Sequence, residues 1–195
     1  MREQKFKKNI PNILTTLRLM LVPLFFVMLT SNEKYSYLFA LVIFCFAAIT
    51  DYLDGKLARK FDAVSKFGLF MDPLADKALV ISAFVGFLYI EALIPAIKPW
   101  MVFLIFFRDF LVTLLRIMIK RNGSLMVTSG VAKMKTASQL ISIIIILLLL
   151  SFSSIYQLDL SLNFIWSIMI LVTLFTLYTG FDYYYRNIKL ISFNK

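Results

Sequence analysis

Four aspartates stand in two pairs, Asp51 with Asp54 and Asp72 with Asp76. On a helix, spacings of three and four residues put each pair on one face. Gly55 and Ala58 continue the first face with small residues, and Gly68 continues the second one turn before Asp72. Two antiparallel helices joined by a short turn would bring these stripes together, and small residues let backbones or a ligand approach closely. Asp72 and Asp76 are set among Phe70, Met71, Leu74, Ala78 and Leu79, and the chain then runs directly into an apolar stretch. An acid at membrane depth costs about 3 kcal/mol on the lenient insertion scale. Four converging carboxylates would also repel one another, and at least one would take a proton. Divalent metal answers both objections. Hard oxygen ligands suit Mg²⁺ or Mn²⁺, with substrate phosphates completing the shell. Two ions roughly 4 Å apart can clamp the attacking and leaving oxygens of a phosphoryl displacement. The competing readings are solvated loop acids and a cation pathway through a transporter. The first would have irregular spacing on hydrophilic flanks. The second would have acids through the whole membrane depth, whereas these cluster at one end.

The elements that must position these aspartates follow from composition. Of 195 residues, 61% are hydrophobic and 16% are charged. Such a chain has too little polar surface to cover itself in water, so its solvent is lipid. At about 20 residues per span, the length allows roughly six spans with short loops and no separate soluble domain. Apolar segments fall near 11–31, 36–58, 67–92, 97–119, 135–153 and 160–183. The expectation is an all-α membrane protein, a single domain over 1–195 built as a bundle of six transmembrane helices. The opening MREQKFKKNI is basic, with Phe6 and Ile10 among lysines. Residues 1–10 read as a short interfacial helix, and the long apolar stretch after them lacks a small-residue cleavage site.

Lysine and arginine set the orientation. One group of connections holds Arg2, Lys5, Lys7, Lys8, Lys56, Arg59, Lys60, Lys66, Lys120, Arg121, Lys133, Lys135, Arg186, Lys189 and Lys195; the opposite group holds Lys34 and Lys98. This asymmetry puts both termini in the cytoplasm. Short loops and the lack of a Ser-rich leader favour the inner (cytoplasmic) membrane of a bacterium. The formal charge of +10 is spread over several loops and not gathered on one arm, which argues for anionic lipid and against nucleic acid. Histidine is absent, so His-ligated zinc and Ser-His-Asp catalysis are excluded. Cys45, the single cysteine, lies in an apolar run and reads as packing.

The stretch from Asp51 to Asp76 has the pattern D-x-x-D-G-x-x-A-R-(x8)-G-x-x-x-D-x-x-x-D, carried by Asp51, Asp54, Gly55, Ala58, Arg59, Gly68, Asp72 and Asp76. It resembles the signature of the CDP-alcohol phosphotransferases. The resemblance implies a six-helix membrane homodimer with its site at the cytoplasmic face and two metal ions on Asp51, Asp54, Asp72 and Asp76. It implies Asp76 as general base, and a CDP site including Asp54, Gly55, Ala58, Arg59 and Gly68.

The opening Pro11-Asn12-Ile-Leu14-Thr15-Thr16-Leu-Arg18 resembles the P-N-x-L-T-x-x-R start of the phosphatidylglycerophosphate synthase branch. This adds Asn12, Thr15 and Arg18 to the CDP site. Thr15 and Arg18 lie one turn apart and can bind pyrophosphate; alternatively Arg18 snorkels to lipid headgroups. In the fourth span, Arg108 interrupts an apolar run, which is expensive unless it is paired. Asp109 follows it, but a helix turns it about 100° away, so Arg108 is expected to face the interior. Arg108, Arg116 and Lys135 would form a cationic pocket for a dianionic phosphate; alternatively Arg116, Lys133 and Lys135 are ordinary cytoplasmic-side charge. These segments resemble R-E-x-x-V-T-x-x-R and G-K-x-K-T-x-x-Q of the same branch, with Asp109 for Glu and Ala132 for Gly. The resemblance implies transfer from CDP-diacylglycerol to glycerol 3-phosphate. Inositol phosphate and phosphatidylglycerol remain competing acceptors, since each also carries a phosphate.

Overall fold

A computed structural model describes the backbone of residues 2–31, 33–60, 66–121 and 130–192, and the side chains of 15–31, 33–51, 77–119 and 134–187. Among the described residues six α-helices follow one another: α1 (Arg2–Thr30), α2 (Ser36–Lys60), α3 (Lys66–Phe87), α4 (Pro99–Arg121), α5 (Gly130–Tyr156) and α6 (Leu162–Ser192). A short 3₁₀ turn, Glu91–Leu93, precedes α4, and no strand occurs among the described residues. Residues 2–10 are continuous with α1 and do not form the separate interfacial helix expected. Pro11 removes one hydrogen-bond donor, which bends a helix without having to end it.

The third helix stops at Phe87, five residues before the apolar run does. Its last turn tightens through i→i+3 bonds from Leu88, Tyr89 and Ile90 to Val85, Gly86 and Phe87. Pro99 then opens α4 at the position where a missing N–H costs nothing. Helix α5 ends with Gln157 at φ 56°, and the Leu158 N–H donates to the Ser153 carbonyl at 3.2 Å. That is a Schellman end with a side-chain-bearing residue in the left-handed position.

An apolar core that includes Phe25, Phe44, Phe84, Met101 and Ile146 is interleaved with buried polar side chains, and large apolar side chains also cover the outside. Thr15, Arg18, Ser82, Arg108, Lys135, Gln139, Thr176 and Asn187 are buried, while Met20, Phe103, Phe110, Leu171 and Phe181 are exposed. Two stretches, Met134–Tyr156 and Leu162–Asn187, are long and apolar enough to cross a membrane. Shorter apolar helices run over Thr15–Thr30, Ser36–Asp51 and Lys77–Phe87. Long apolar helices whose outward faces carry large apolar side chains are those of a membrane protein.

The chain divides into two compact units, residues 1–90 with 143–160, and residues 91–142 with 161–195. In the first unit α1 packs on α2 and α3. Buried Thr15, Arg18, Phe25 and Leu29 share one face of α1, and buried Ala40, Phe44 and Ala47 share one face of α2. Phe25 meets Phe44 at 5.5 Å between ring centroids, and Arg18 meets Asp51. A step of seven residues forward along α1 is therefore seven back along α2, the register of an antiparallel pair. Leu29 lies directly over Gly86, so α1 and α3 finish at the same end. In the second unit α4 packs on α6, whose buried face runs Ile165, Met169, Val172, Thr176, Thr179 and Tyr183. Arg108 contacts Thr179 and Arg116 contacts Tyr183, so α4 and α6 run in the same sense.

The left-handed conformation of Gln157 costs a side-chain-bearing residue about 1 kcal/mol or more. Replacing Gln157 by Gly is expected to raise the thermal unfolding midpoint in detergent, whereas Gln157→Val lowers it.

Candidate active site

Register in the first unit determines which helix positions lie near the Arg18–Asp51 pair. Arg18 NH1 approaches Asp51 Oδ1 at 2.6 Å, with side-chain exposures of 1% and 42%. From the Leu29–Gly86 contact, ten residues back along α3 reach position 76 and eleven back along α1 reach Arg18. At 1.5 Å per residue both travel about 15–16 Å. Helix positions 51 and 76 thus stand at about the same level. Positions 54 and 72 lie about a turn further toward the same end. The side chains of Asp54, Asp72 and Asp76, and those of Asn12, Gly55, Ala58, Arg59 and Gly68, lie outside the described residues.

Arg18 does not snorkel. It is fully buried, as is Thr15 one turn before it. Its counter-charge is Asp51, a pairing the spacing of either motif alone does not reveal. Among the described residues no group of three or more Asp, Glu, Cys or His stands close enough to hold a metal ion; Asp51 is the one aspartate of the four whose side chain belongs to that set. What Asp51 offers fits a hard divalent cation: a half-exposed carboxylate with one oxygen already against a fixed guanidinium.

The second unit holds a buried charge cluster. Asp109 bridges two cations, with Oδ1 accepting from Arg108 NH1 at 2.9 Å and Oδ2 from Lys135 Nζ at 2.5 Å. Arg108 also donates from NH2 to Thr179 Oγ1 at 3.0 Å. Side-chain exposures are 10% for Arg108, 9% for Lys135 and 22% for Asp109. The helical wheel separates Arg108 from Asp109 by about 100°, yet the arginine stem is long enough to bend its head back to the neighbouring carboxylate. Lys135 is accordingly not a solvated loop charge; Lys133 lies outside the described side chains. Arg116 stands apart from this cluster, about 12 Å further along α4, where NH2 reaches the Tyr183 hydroxyl at 3.4 Å. Three cations and one carboxylate make these four side chains net positive.

A family profile described as CDP-alcohol phosphatidyltransferase matches residues 8–178. The chain belongs to that family. It is 41% identical over 144 residues to the CDP-diacylglycerol–glycerol-3-phosphate 3-phosphatidyltransferase of Cereibacter sphaeroides, covering 72% of this chain and 63% of that protein. Proteins of the same name from Bacillus subtilis and Rickettsia prowazekii are each 32% identical. Those alignments cover 92% of this chain in both cases, and 95% and 96% of the two relatives respectively.

For a CDP-alcohol phosphatidyltransferase, the two units carry complementary chemistry. One has the helices of the aspartate motif, and the other has buried cations suited to an anionic group. The sixth helix was not assigned any role from sequence. Its signal is a run of polar residues at steps of three and four within an apolar segment: Thr173, Thr176, Thr179, Tyr183 and Asn187, all buried. Two of them, Thr179 and Tyr183, hold the arginines of α4.

Taking one partner from a buried ion pair leaves the other charge uncompensated and costs about 3–5 kcal/mol. Asp109→Ala removes the carboxylate that both Arg108 and Lys135 contact, so its unfolding midpoint should fall sharply. Asp182→Ala loosens only the half-exposed Arg186, bonded to Asp182 at 2.7 Å, and should barely move the midpoint.

Proposed function

We propose that this enzyme transfers the phosphatidyl group of CDP-diacylglycerol to glycerol 3-phosphate, giving phosphatidylglycerophosphate and CMP. The observation that carries the acceptor assignment is the buried Arg108–Asp109–Lys135 cluster with Arg116 further along α4. A phosphate monoester is a dianion, and guanidinium and ammonium donors match its oxygens. Serine, choline or ethanolamine would bring no phosphate to such a pocket. The Bacillus subtilis relative, aligned over almost its whole length, is named for this reaction.

Asp51, Asp54, Asp72 and Asp76 would hold two divalent ions, Mg²⁺ or Mn²⁺. When bound, such ions neutralise charge on the pyrophosphate and on the departing CMP. Thr15, Arg18 and Asn12 on α1, with Gly55, Ala58, Arg59 and Gly68, would receive the CDP head while the acyl chains stay in the bilayer. Arg108, Lys135 and Arg116 grip the phosphate of glycerol 3-phosphate and present its primary hydroxyl. Asp76 takes the hydroxyl proton. The freed oxygen attacks the lipid-side phosphorus; the new P–O bond forms as the bond to CMP breaks. Positioning and fixed charge supply most of the acceleration.

The two units together serve as one catalytic domain, working as a homodimer in the inner membrane with six spans and both termini in the cytoplasm. Two observations support that topology: α4 and α6 run in the same sense, and so do α1 and α3. An up-and-down path across the bilayer is also the one that the distribution of lysine and arginine along the sequence asks for.

The test is CMP release by purified protein from CDP-diacylglycerol with Mg²⁺, offering glycerol 3-phosphate, inositol phosphate, phosphatidylglycerol or serine. Turnover with glycerol 3-phosphate alone, abolished by EDTA and restored by Mg²⁺, is the expected result. Preference for another acceptor would overturn the pocket assignment. Asp76→Asn should lower kcat by about 10²–10⁴-fold while leaving the unfolding midpoint in place; near-normal turnover would remove Asp76 from the role of base.

A further inference from the structure

The guanidinium of Arg108 is held by two neighbours, and a third residue gives it room. A Cβ built on Gly180 of α6 would lie 2.8 Å from Arg108 Cγ and 3.1 Å from Nε. Real Cβ atoms essentially never approach as closely as 2.8 Å, so the stem of Arg108 occupies the space a side chain at 180 would need. The preceding residue, Thr179, accepts from Arg108 NH2, while its own hydroxyl donates to the Thr176 carbonyl at 2.8 Å. That second bond fixes the hydroxyl rotor, so the lone pair facing Arg108 is set in advance. Arg108 Nε is buried without a hydrogen-bond partner, so the head is held through its two terminal nitrogens by Asp109 and Thr179.

We propose that Gly180 is a positioning residue for acceptor binding: its missing side chain sets the path of the Arg108 stem, and so the place of the guanidinium that grips the acceptor phosphate. This rests on the acceptor site proposed above. The local space predicts what happens when the glycine is replaced. A cavity of about 310 Å³, lined by Arg108 and Gly180 with Leu104, Leu111, Leu177 and Phe181, lies beside the stem. A methyl at 180 therefore forces the Arg108 stem to turn toward that apolar cavity, which costs some stability but does not require α4 and α6 to separate. The variant folds, but its guanidinium is displaced from Thr179 and Asp109. Misplacing a binding group by about 1 Å is enough to cost one to two orders of magnitude.

The experiment is steady-state kinetics of Gly180→Ala in the detergent or vesicle system used for the parent enzyme. The KM for glycerol 3-phosphate should rise about tenfold or more, with the KM for CDP-diacylglycerol unchanged. Thermal unfolding completes a double-mutant cycle: Gly180→Ala shifts the midpoint in the parent but not in an Arg108→Ala background, where no stem remains to be displaced. Unchanged constants for both substrates, or an equal rise in both, would overturn the inference. So would an unfolding penalty that persists without Arg108. Failure of the acceptor assignment looks different, because Arg108→Ala would then leave the glycerol 3-phosphate KM at its parent value. If only the positioning inference fails, Arg108→Ala remains impaired while Gly180→Ala is normal.

Discussion

A guanidinium or ammonium removed from water and surrounded by hydrocarbon must find its counter-charge inside the protein, because neither lipid nor bulk solvent will supply it. Both buried arginines for which this chain has an ion partner meet that demand in a way that ties helices together. Arg18 joins α1 to α2 through Asp51, and Arg108 joins α4 to α5 and α6 through Asp109, Lys135 and Thr179. In a membrane there is little hydrophobic drive between apolar helices, so polar contacts and close packing carry the specificity. Each pair therefore acts as a register mark. Slide α2 against α1 by one turn and Phe44 still finds apolar company, but Arg18 loses Asp51. The ion pair discriminates where the greasy contacts do not.

This register has a consequence for the aspartate motif. The antiparallel α1–α2 pair and the common end of α1 and α3 put the motif's helix positions at one end of the first unit. Arg18 is then more than a candidate donor for pyrophosphate. It also lowers the repulsion that Asp51 would feel from the neighbouring acids of its motif, and leaves that carboxylate half exposed for a cation.

Much of this was legible from sequence, because each readable feature is local. Six apolar runs give six helices, and the spacing of Asp51, Asp54, Gly55, Ala58, Arg59, Gly68, Asp72 and Asp76 identifies the family before any coordinates. Arg108 was readable as interior because charge in an apolar run has few other options. What could not be read depends on contacts between distant segments or on side-chain flexibility. The Arg18–Asp51 pair spans 33 residues of sequence. The Arg108–Asp109 bond defeats the helical wheel because the wheel tracks Cβ directions and not the reach of a four-atom stem. The role of α6 was hidden because threonines in an apolar helix read as filler until an arginine is found against one of them. The separate helix expected over residues 1–10 failed for the opposite reason: Phe6 and Ile10 among lysines mark a change of composition, and a change of composition does not by itself interrupt a backbone.

The balance of charge in the second unit also bears on why the cluster exists at all. A structural ion network gains most when its charges cancel, since any residual charge in a low-dielectric interior remains uncompensated. Here one carboxylate, Asp109, bridges two cations of about a tenth side-chain exposure, and Arg116 reaches the Tyr183 phenol. The cations are fixed by packing: Arg108 is wedged against Gly180, and Lys135 lies on the buried face of α5 with Gln139 and Ser142. Such an arrangement is poor as a device for stability and good as a device for receiving an anion, because the cost of ordering and desolvating the cations is met in folding and not at each binding event. A phosphate brings negative charge to such cations, whereas an uncharged alcohol brings none. On electrostatic grounds, independently of any likeness to other proteins, the cluster is suited to an anionic group.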